Sequence, residues 1–103
     1  MTLHELLEEA AASLPDVVGE QQPDGAKIWS RGGRPFAVLD EAETAAEFAL
    51  DGAVASAAAR TPDVTISSRG VGWVRFRPTT LDDHAADRAA AWFASAHRRL
   101  TRD

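Results

Sequence analysis

One short stretch of the chain, RGVGWVRFRP, combines an indole ring with three guanidinium groups. Trp73, Arg75 and Arg77 are spaced two residues apart, and side chains at that spacing project from the same face of a β-strand. Val74 and Phe76 then point to the opposite face, toward a core. An aromatic ring beside arginines suits stacked bases and phosphates, but it equally suits a planar small molecule or a peptide.

A second strand-like stretch, AKIWS, extends this set. If Ile28 faces the core, Lys27 and Trp29 face outward with the arginines. Arg69 lies in the turn before Trp73. The sequence therefore predicts one nucleic-acid or ligand-binding surface, made of Lys27, Trp29, Arg69, Trp73, Arg75 and Arg77.

The same pattern has a second interpretation, in which the tryptophans are covered and the arginines are merely solvated. A loop, a terminus or a second copy of the chain could cover the indoles, since exposed apolar patches most often mark protein contacts. On this alternative the protein is an interaction or chaperone-like subunit, for example a homodimer that pairs through a sheet face or edge.

The charge of the chain limits what nucleic-acid binding could achieve. The net charge is −5, and residues 1–24 carry six acids without a single Lys or Arg. Three or four phosphate contacts give a salt slope of about −3, far below that of a dedicated repressor. No helix is rich in Arg, Asn and Gln, so base-specific helix-turn-helix recognition is not expected. Any DNA contact is expected to be weak and tolerant of sequence.

Other charged groups have simpler explanations than a binding site. Asp83 and Asp87 lie four residues apart and could touch a divalent cation, but an acidic first turn also suits the positive end of a helix. Arg98, Arg99 and Arg102 end the last helix, where cations complement its dipole. No metal site is therefore predicted.

Enzymatic signatures are missing from the sequence. The chain has no cysteine and no tyrosine, which removes a cysteine nucleophile, disulfides and thiolate metal sites. The RGVG segment is too short for a phosphate-binding loop, and no serine lies in a nucleophile elbow. We expect a non-enzymatic protein without catalytic residues and without a cofactor.

Hydrophobic periodicity and turn residues predict the elements in chain order. A helix over 3–14 begins at a capping box of Thr2 and Glu5 and ends at Pro15. A hairpin turns at Gly32-Gly33, and a last helix begins after Thr80. The region 44–60 is ambiguous: it is either a strand at 45–50 followed by a helix at 52–60, which we favour, or one long helix. The predicted strands are 26–30, 35–40, 45–50, VTISS and WVRFR, and the last helix covers 81–100.

This order, α-β(3)-α-β(2)-α, predicts a single α+β domain over 1–103. It would be a two-layer structure in which helices pack on one face of a five-stranded antiparallel sheet. No apolar run reaches the length of a membrane span and no signal peptide is evident, so a cytoplasmic protein is expected.

Several short motifs together resemble the MmcQ/YjbR family, whose members are commonly described as DNA-binding. They are Leu14-Pro15-Asp16-Val17 after the first helix, GGRPFAVL in the hairpin, GVGWVRF, and AWFASAHRRL near the C-terminus. The last motif departs from the family pattern, since His97 and Arg98 stand where Pro and Lys are common. The resemblance implies the two-layer, CyaY-like α-β(3)-α-β(2)-α fold and possible DNA binding, but it supplies no contact residues.

Overall fold

The computed structural model describes residues 1–100 of the chain. Within these residues, three helices and six strands form an α+β domain with the order α-β(4)-α-β(2)-α. None of the helices within residues 1–100 has the length and apolarity needed to cross a membrane. The elements are α1 (Leu3–Ala12), β1 (Val18–Gln21), β2 (Lys27–Arg31), β3 (Arg34–Leu39), β4 (Ala46–Ala49), α2 (Gly52–Ala59), β5 (Val64–Ile66), β6 (Trp73–Phe76) and α3 (Asp83–Arg99).

The sheet is antiparallel throughout, with the strand order β1-β2-β3-β4-β6-β5. The prediction of five strands is wrong, because β1 adds a sixth strand at one edge. All four residues of β1 are exposed, so the sequence VGEQ lacks the apolar alternation that marks a half-buried strand. Backbone pairing with β2 holds this strand in the sheet.

The region 44–60 is a strand followed by a helix, as favoured from the sequence. All residues of β4 are buried, which explains why alternation between apolar and polar residues is weak there. Asp51 is the N-cap of α2, although its side chain makes no capping hydrogen bond.

The ends of the other helices differ by a few residues from the prediction. The capping box of Thr2 and Glu5 is confirmed. Helix α1 ends at Ala12, with Ser13 as its C-cap, and not at residue 14 directly before Pro15. Helix α3 begins at Asp83 rather than at 81. Asp82 and not Thr80 is its N-cap, because the Asp82 carboxylate accepts a hydrogen bond from the Ala85 amide.

The core lies between the sheet and the helices. Trp29, Phe36 and Phe93 are all buried, and the rings of Trp29 and Phe36 meet the Phe93 ring edge-on at centroid distances of 5.6 and 5.0 Å. Such edge-to-face pairs add to the gain from burial. Ala55 and Ala58 bring α2 into the same apolar cluster.

A β-bulge interrupts the pairing of β2 with β3. Trp29 lies opposite Ala37, but the next residue, Ser30, lies opposite Pro35. Phe36 is therefore an extra residue in β3 without a partner in β2. Phe36 and Ala37 are consequently both fully buried. The bulge therefore directs two consecutive side chains into the core.

Candidate ligand-binding site on the open sheet face

The predicted orientation of β6 is confirmed. Val74 and Phe76 are buried, and Phe76 meets the ring of Trp92 on α3 at 5.2 Å. Trp73 and Arg75 point to the other face and are half-buried, while Arg77 is exposed just beyond the strand. The sheet face that carries these residues is called the open face below.

Trp29 and Lys27 do not belong to the open face, and their prediction as outward-facing residues is wrong. Trp29 is 1% exposed and packs against Phe93 of α3. It lies in register with Ala37, which in turn pairs with Phe48, so this row faces the helices. The indole fills the space that Ile28 was expected to occupy.

Ile28 instead pairs with Val38, and Val38 pairs with Glu47. Glu47 in turn lies opposite Arg75 of β6. This row of cross-strand neighbours lines the open face, because residues directly opposite each other in a sheet project to the same side.

Glu47 is the centre of the site. Its side chain is 11% exposed, and its Oε1 lies 3.2 Å from Nε of Arg69 and 3.7 Å from Nη1 of Arg75. The Ser67 hydroxyl donates a short hydrogen bond to the other oxygen, Oε2. One mostly buried carboxylate therefore fixes two guanidinium groups next to each other.

Asp40 holds the other side of Arg75, with Oδ2 3.5 Å from Nη2. The Asp40 carboxylate is itself fixed by the backbone amides of Thr44 and Ala45, at 2.8 and 3.2 Å. Arg75 thus lies between two carboxylates, which restrict its rotamers before any ligand arrives.

Arg69 extends over the indole of Trp73, with 5.9 Å between its guanidinium carbon and the ring centroid. The Trp73 amide donates to the Gly70 carbonyl at 3.2 Å, which closes the turn between the two side chains. The stacked pair is a cation–π contact at the edge of the Glu47 cluster.

The cluster retains capacity for an anion. The side chains of Arg69 and Arg75 are 42% and 38% exposed. Each guanidinium group has five N–H donors, and only some of these donors face Glu47 or Asp40. The carboxylates of Glu47 and Asp40 balance the charges of Arg69 and Arg75, and the exposed Arg77, beyond the end of β6, adds one positive charge. Such a surface favours a single phosphate or carboxylate group over a long polyanion.

Sequence reasoning missed Glu47, Asp40 and Ser67. The available signal was a lone acid, Glu47, inside the apolar run AAEFAL. A buried carboxylate requires a partner, and only the strand pairing shows that the partner is Arg75.

Lys27 lies at a separate place, against α1. Its Nζ is 2.8 Å from Oε1 of Glu8, and Nε1 of Trp29 donates to the same oxygen at 3.2 Å. The proximity of Lys27 lowers the pKa of Glu8 below its ordinary value, chiefly through their hydrogen bond and against the opposing effect of burial. This group stabilises the α1–β2 contact rather than forming an open site.

Two of the remaining charged candidates, Arg98 and Arg99, make contacts within the protein. Arg99 approaches Asp51 at 4.0 Å, and Arg98 also has an interaction partner. Arg102 lies outside the described residues. Within residues 1–100, no cluster of three or more His, Cys, Asp or Glu side chains could hold a metal ion, Asp83 and Asp87 included.

His97 is buried and links three elements. Its Nε2 donates to the carbonyl of Pro15 at 2.7 Å, and Arg31 donates to Nδ1 at 3.3 Å. Because a carbonyl only accepts and a guanidinium only donates, the proton of the neutral ring belongs on Nε2. His97 therefore acts as a hydrogen-bonded core residue.

The fold and the cluster together define a small α+β protein with a cationic and aromatic patch on its open sheet face. No protein-family model matches the chain, and no curated protein is significantly similar to it. A function for this surface must accordingly be argued from its geometry.

Proposed function

We propose that this protein is a non-enzymatic binding protein whose open face takes a planar ligand bearing a phosphate, such as a nucleotide or a short single-stranded nucleic acid. The observation that carries the proposal is the convergence of Arg69 and Arg75 on one oxygen of Glu47. Two guanidinium groups that are already adjacent lose little conformational freedom when they bind a phosphate.

The indole of Trp73 supports a planar ligand over a bare anion. It lies half-buried beside the paired arginines and is already stacked by Arg69. A base stacked on an aromatic ring contributes about 1–3 kcal/mol. The loss of Trp29 to the core leaves a single indole, so the surface fits one base rather than a run of bases.

The surrounding charge argues against tight duplex binding. The net charge of −5 repels a long polyanion that extends past the patch. Weak binding is expected, with contacts to about three phosphates at most and a salt slope of about −2 on single strands.

The proposed role agrees with what the resemblance to the MmcQ/YjbR family implies, and membership of that family is part of the proposal. Helix α1, strands β2–β4, helix α2, strands β5–β6 and helix α3 follow the order expected of the family, with β1 as an addition. A cytoplasmic location would suit such a ligand.

Fluorescence anisotropy with a labelled single-stranded 12-mer, at two salt concentrations, tests the proposal. Arg75→Gln should weaken binding and reduce the salt slope by about 0.7, the value for one phosphate contact. Arg88→Gln, on the exposed side of α3, is the matched control and should change neither. Equal effects of the two substitutions, or no binding of the 12-mer or of AMP, would refute the proposal.

Glu47→Gln gives an independent prediction. The substitution keeps an acceptor for Ser67 but removes the charge that competes with a ligand for Arg69 and Arg75. We expect binding to tighten several-fold, while the free energy of unfolding falls by about 1–3 kcal/mol because Arg69 and Arg75 lose the charge that they share, although Arg75 keeps Asp40. Anisotropy and urea titration measure the two effects, and weaker binding in a folded variant would contradict the ligand site.

The alternative interpretation, a protein-interaction subunit, finds its support at a different place. Trp73 is partly covered by Arg69 and does not offer the broad apolar area that a homodimer through the open face needs. The edge strand β5 has the features of a protein-binding surface.

A further inference from the structure

Strand β5 ends the sheet, with β6 as its only neighbour among the described strands. The Arg77 amide donates to the Asp63 carbonyl at 2.9 Å, and the Ser67 amide donates to the Trp73 carbonyl at 3.1 Å. In an antiparallel pair these bonds alternate along the strand, so Thr65 also bonds toward β6. The amide and carbonyl groups of Val64 and Ile66 consequently point away from the sheet.

An apolar groove runs beside this free edge, on the side of the helices. It has a volume of about 570 Å³ and lies between α2, β5 and the turn at 70–72. Ala55 and Ala59 of α2 leave room in it because their side chains are small. Ile66 is 71% exposed and Val71 is 100% exposed, so two large apolar side chains border the groove without cover.

Basic residues flank the edge on both sides. Arg60 lines the groove at the end of α2, and Arg69 lies on the open face after β5. Asp63, directly before β5, accepts hydrogen bonds from the amide and hydroxyl of Thr79, both at 3.3 Å. Glu47, the acid next to Arg69, is shared with Arg75. The edge is therefore complementary to an acidic segment.

A second copy of the chain fits the edge poorly. Pairing β5 with β5 of another molecule would bring two sets of the same arginines to one seam, and like charges across an interface are unfavourable. Charge complementarity selects a different, acidic occupant.

We infer that β5 binds an extended peptide as a seventh strand, in which apolar side chains alternate with acidic ones. The peptide backbone pairs with Val64 and Ile66, its apolar side chains enter the groove beside Ile66 and Val71, and its carboxylates meet Arg60 or Arg69. Strand addition of this kind takes affinity from main-chain hydrogen bonds and specificity from alternate side chains. The groove lies on the helix side of the sheet and the proposed nucleotide site lies on the open face, with Arg69 and Trp73 at the boundary between them.

The test uses the full chain and a fluorescein-labelled ten-residue peptide of alternating valine and aspartate. A peptide of alternating valine and lysine is the charge control. Hydrogen exchange followed by NMR gives the position: the amides of Val64 and Ile66 should become protected on binding, whereas the amide of Thr65, which already bonds to β6, should change little.

Substitutions of exposed residues separate the groove from general effects on folding. Ile66→Glu and Val71→Glu should each weaken peptide binding by at least about tenfold, since each removes apolar contact and repels aspartate. Val18→Glu is the matched control at the opposite edge, where Val18 is 61% exposed, and it should have no effect. None of the three should alter binding of AMP to the open face.

Several results would overturn the inference. Protection of Val64 and Ile66 without peptide, increasing with protein concentration, would identify a second copy as the occupant. Equal binding of the lysine peptide, an equal effect of Val18→Glu, or no binding of either peptide would also refute it. If the unmodified protein binds the peptide but not AMP, the proposed function would be refuted and the inference about the β5 edge would stand.

Discussion

At the scale of single residues, the side chain of Glu8 connects α1 to strand β2 of the sheet. Its Oε1 accepts from Lys27 Nζ at 2.8 Å and from Trp29 Nε1 at 3.2 Å. The indole N–H is thereby satisfied although the ring is buried, as buried polar groups require. The ammonium of Lys27 keeps the pKa of Glu8 below its ordinary value.

This contact predicts a pH dependence of stability. A carboxyl group whose pKa is lowered in the folded state stabilises the protein above its unfolded pKa, and this contribution is lost as the pH falls through the folded pKa. Lys27→Met should therefore destabilise the protein at neutral pH and should have a smaller effect at an acid pH below the folded pKa of Glu8, where that carboxyl group is protonated.

Urea denaturation at the two pH values measures that difference, and Arg88→Met, at an exposed position of α3, serves as the control for removal of a surface cation. Because Glu8 is nearly half exposed, solvent screens the interaction and the effect should be small. An equal loss of stability at both pH values would show that Lys27 acts only through packing.

The orientation of single residues was predictable for β6 but not for β2. In β6 two large apolar residues alternate with polar ones, so only one assignment buries both. In β2 the choice lay between Ile28 and Trp29, and both are apolar. The indole packs against Phe93 and donates to Glu8, and only the tertiary structure reveals these two partners.

At the scale of elements, the turn between β5 and β6 depends on Gly72. Its φ is +84°, and a Cβ there would lie 2.5 Å from the carbonyl oxygen of Leu50. The Leu50 amide donates to the Gly72 carbonyl at 2.9 Å. This close backbone contact joins the end of β4 to the turn that positions Arg69 and Trp73.

Gly72→Ala should therefore cost more stability than a substitution that only strains the backbone. Gly33→Ala is the matched control, because Gly33 has a φ of +78° and a Cβ added there would meet no atom within 4 Å. We expect about 1–2 kcal/mol for Gly33→Ala from its positive φ, and clearly more for Gly72→Ala. Thermal unfolding of the two variants measures the difference; equal losses would show that the contact with Leu50 yields easily.

The elements themselves were predictable where the sequence carries alternation or caps. The hairpin at Gly32-Gly33 and the amphipathic helices α1 and α3 follow from local pattern. Strand β1 did not, since its residues are exposed and only its backbone pairs. The role of Glu47 was not predictable either, because it depends on the register that places Glu47 opposite Arg75.

At the scale of the whole molecule, one apolar cluster joins all three helices to the sheet. Trp29 and Trp92 both contact this cluster, through Phe93 and Phe76 respectively. A single core in a chain of 103 residues favours all-or-none unfolding.

We therefore expect tryptophan fluorescence and far-ultraviolet circular dichroism to give the same urea midpoint. Trp73→Phe, which removes the one indole on the open face, should leave that agreement intact. Two separate midpoints would show that part of the domain unfolds independently of this core.

The extra residue in β3 has an evolutionary consequence. Phe36 meets the ring of His97 at 5.6 Å, and without the bulge a regular ladder would turn Phe36 to the opposite face. Related chains that lack the extra residue near position 36 should therefore also carry a different residue at position 97. The length of β3 and the residue at position 97 of α3 are expected to be inherited together.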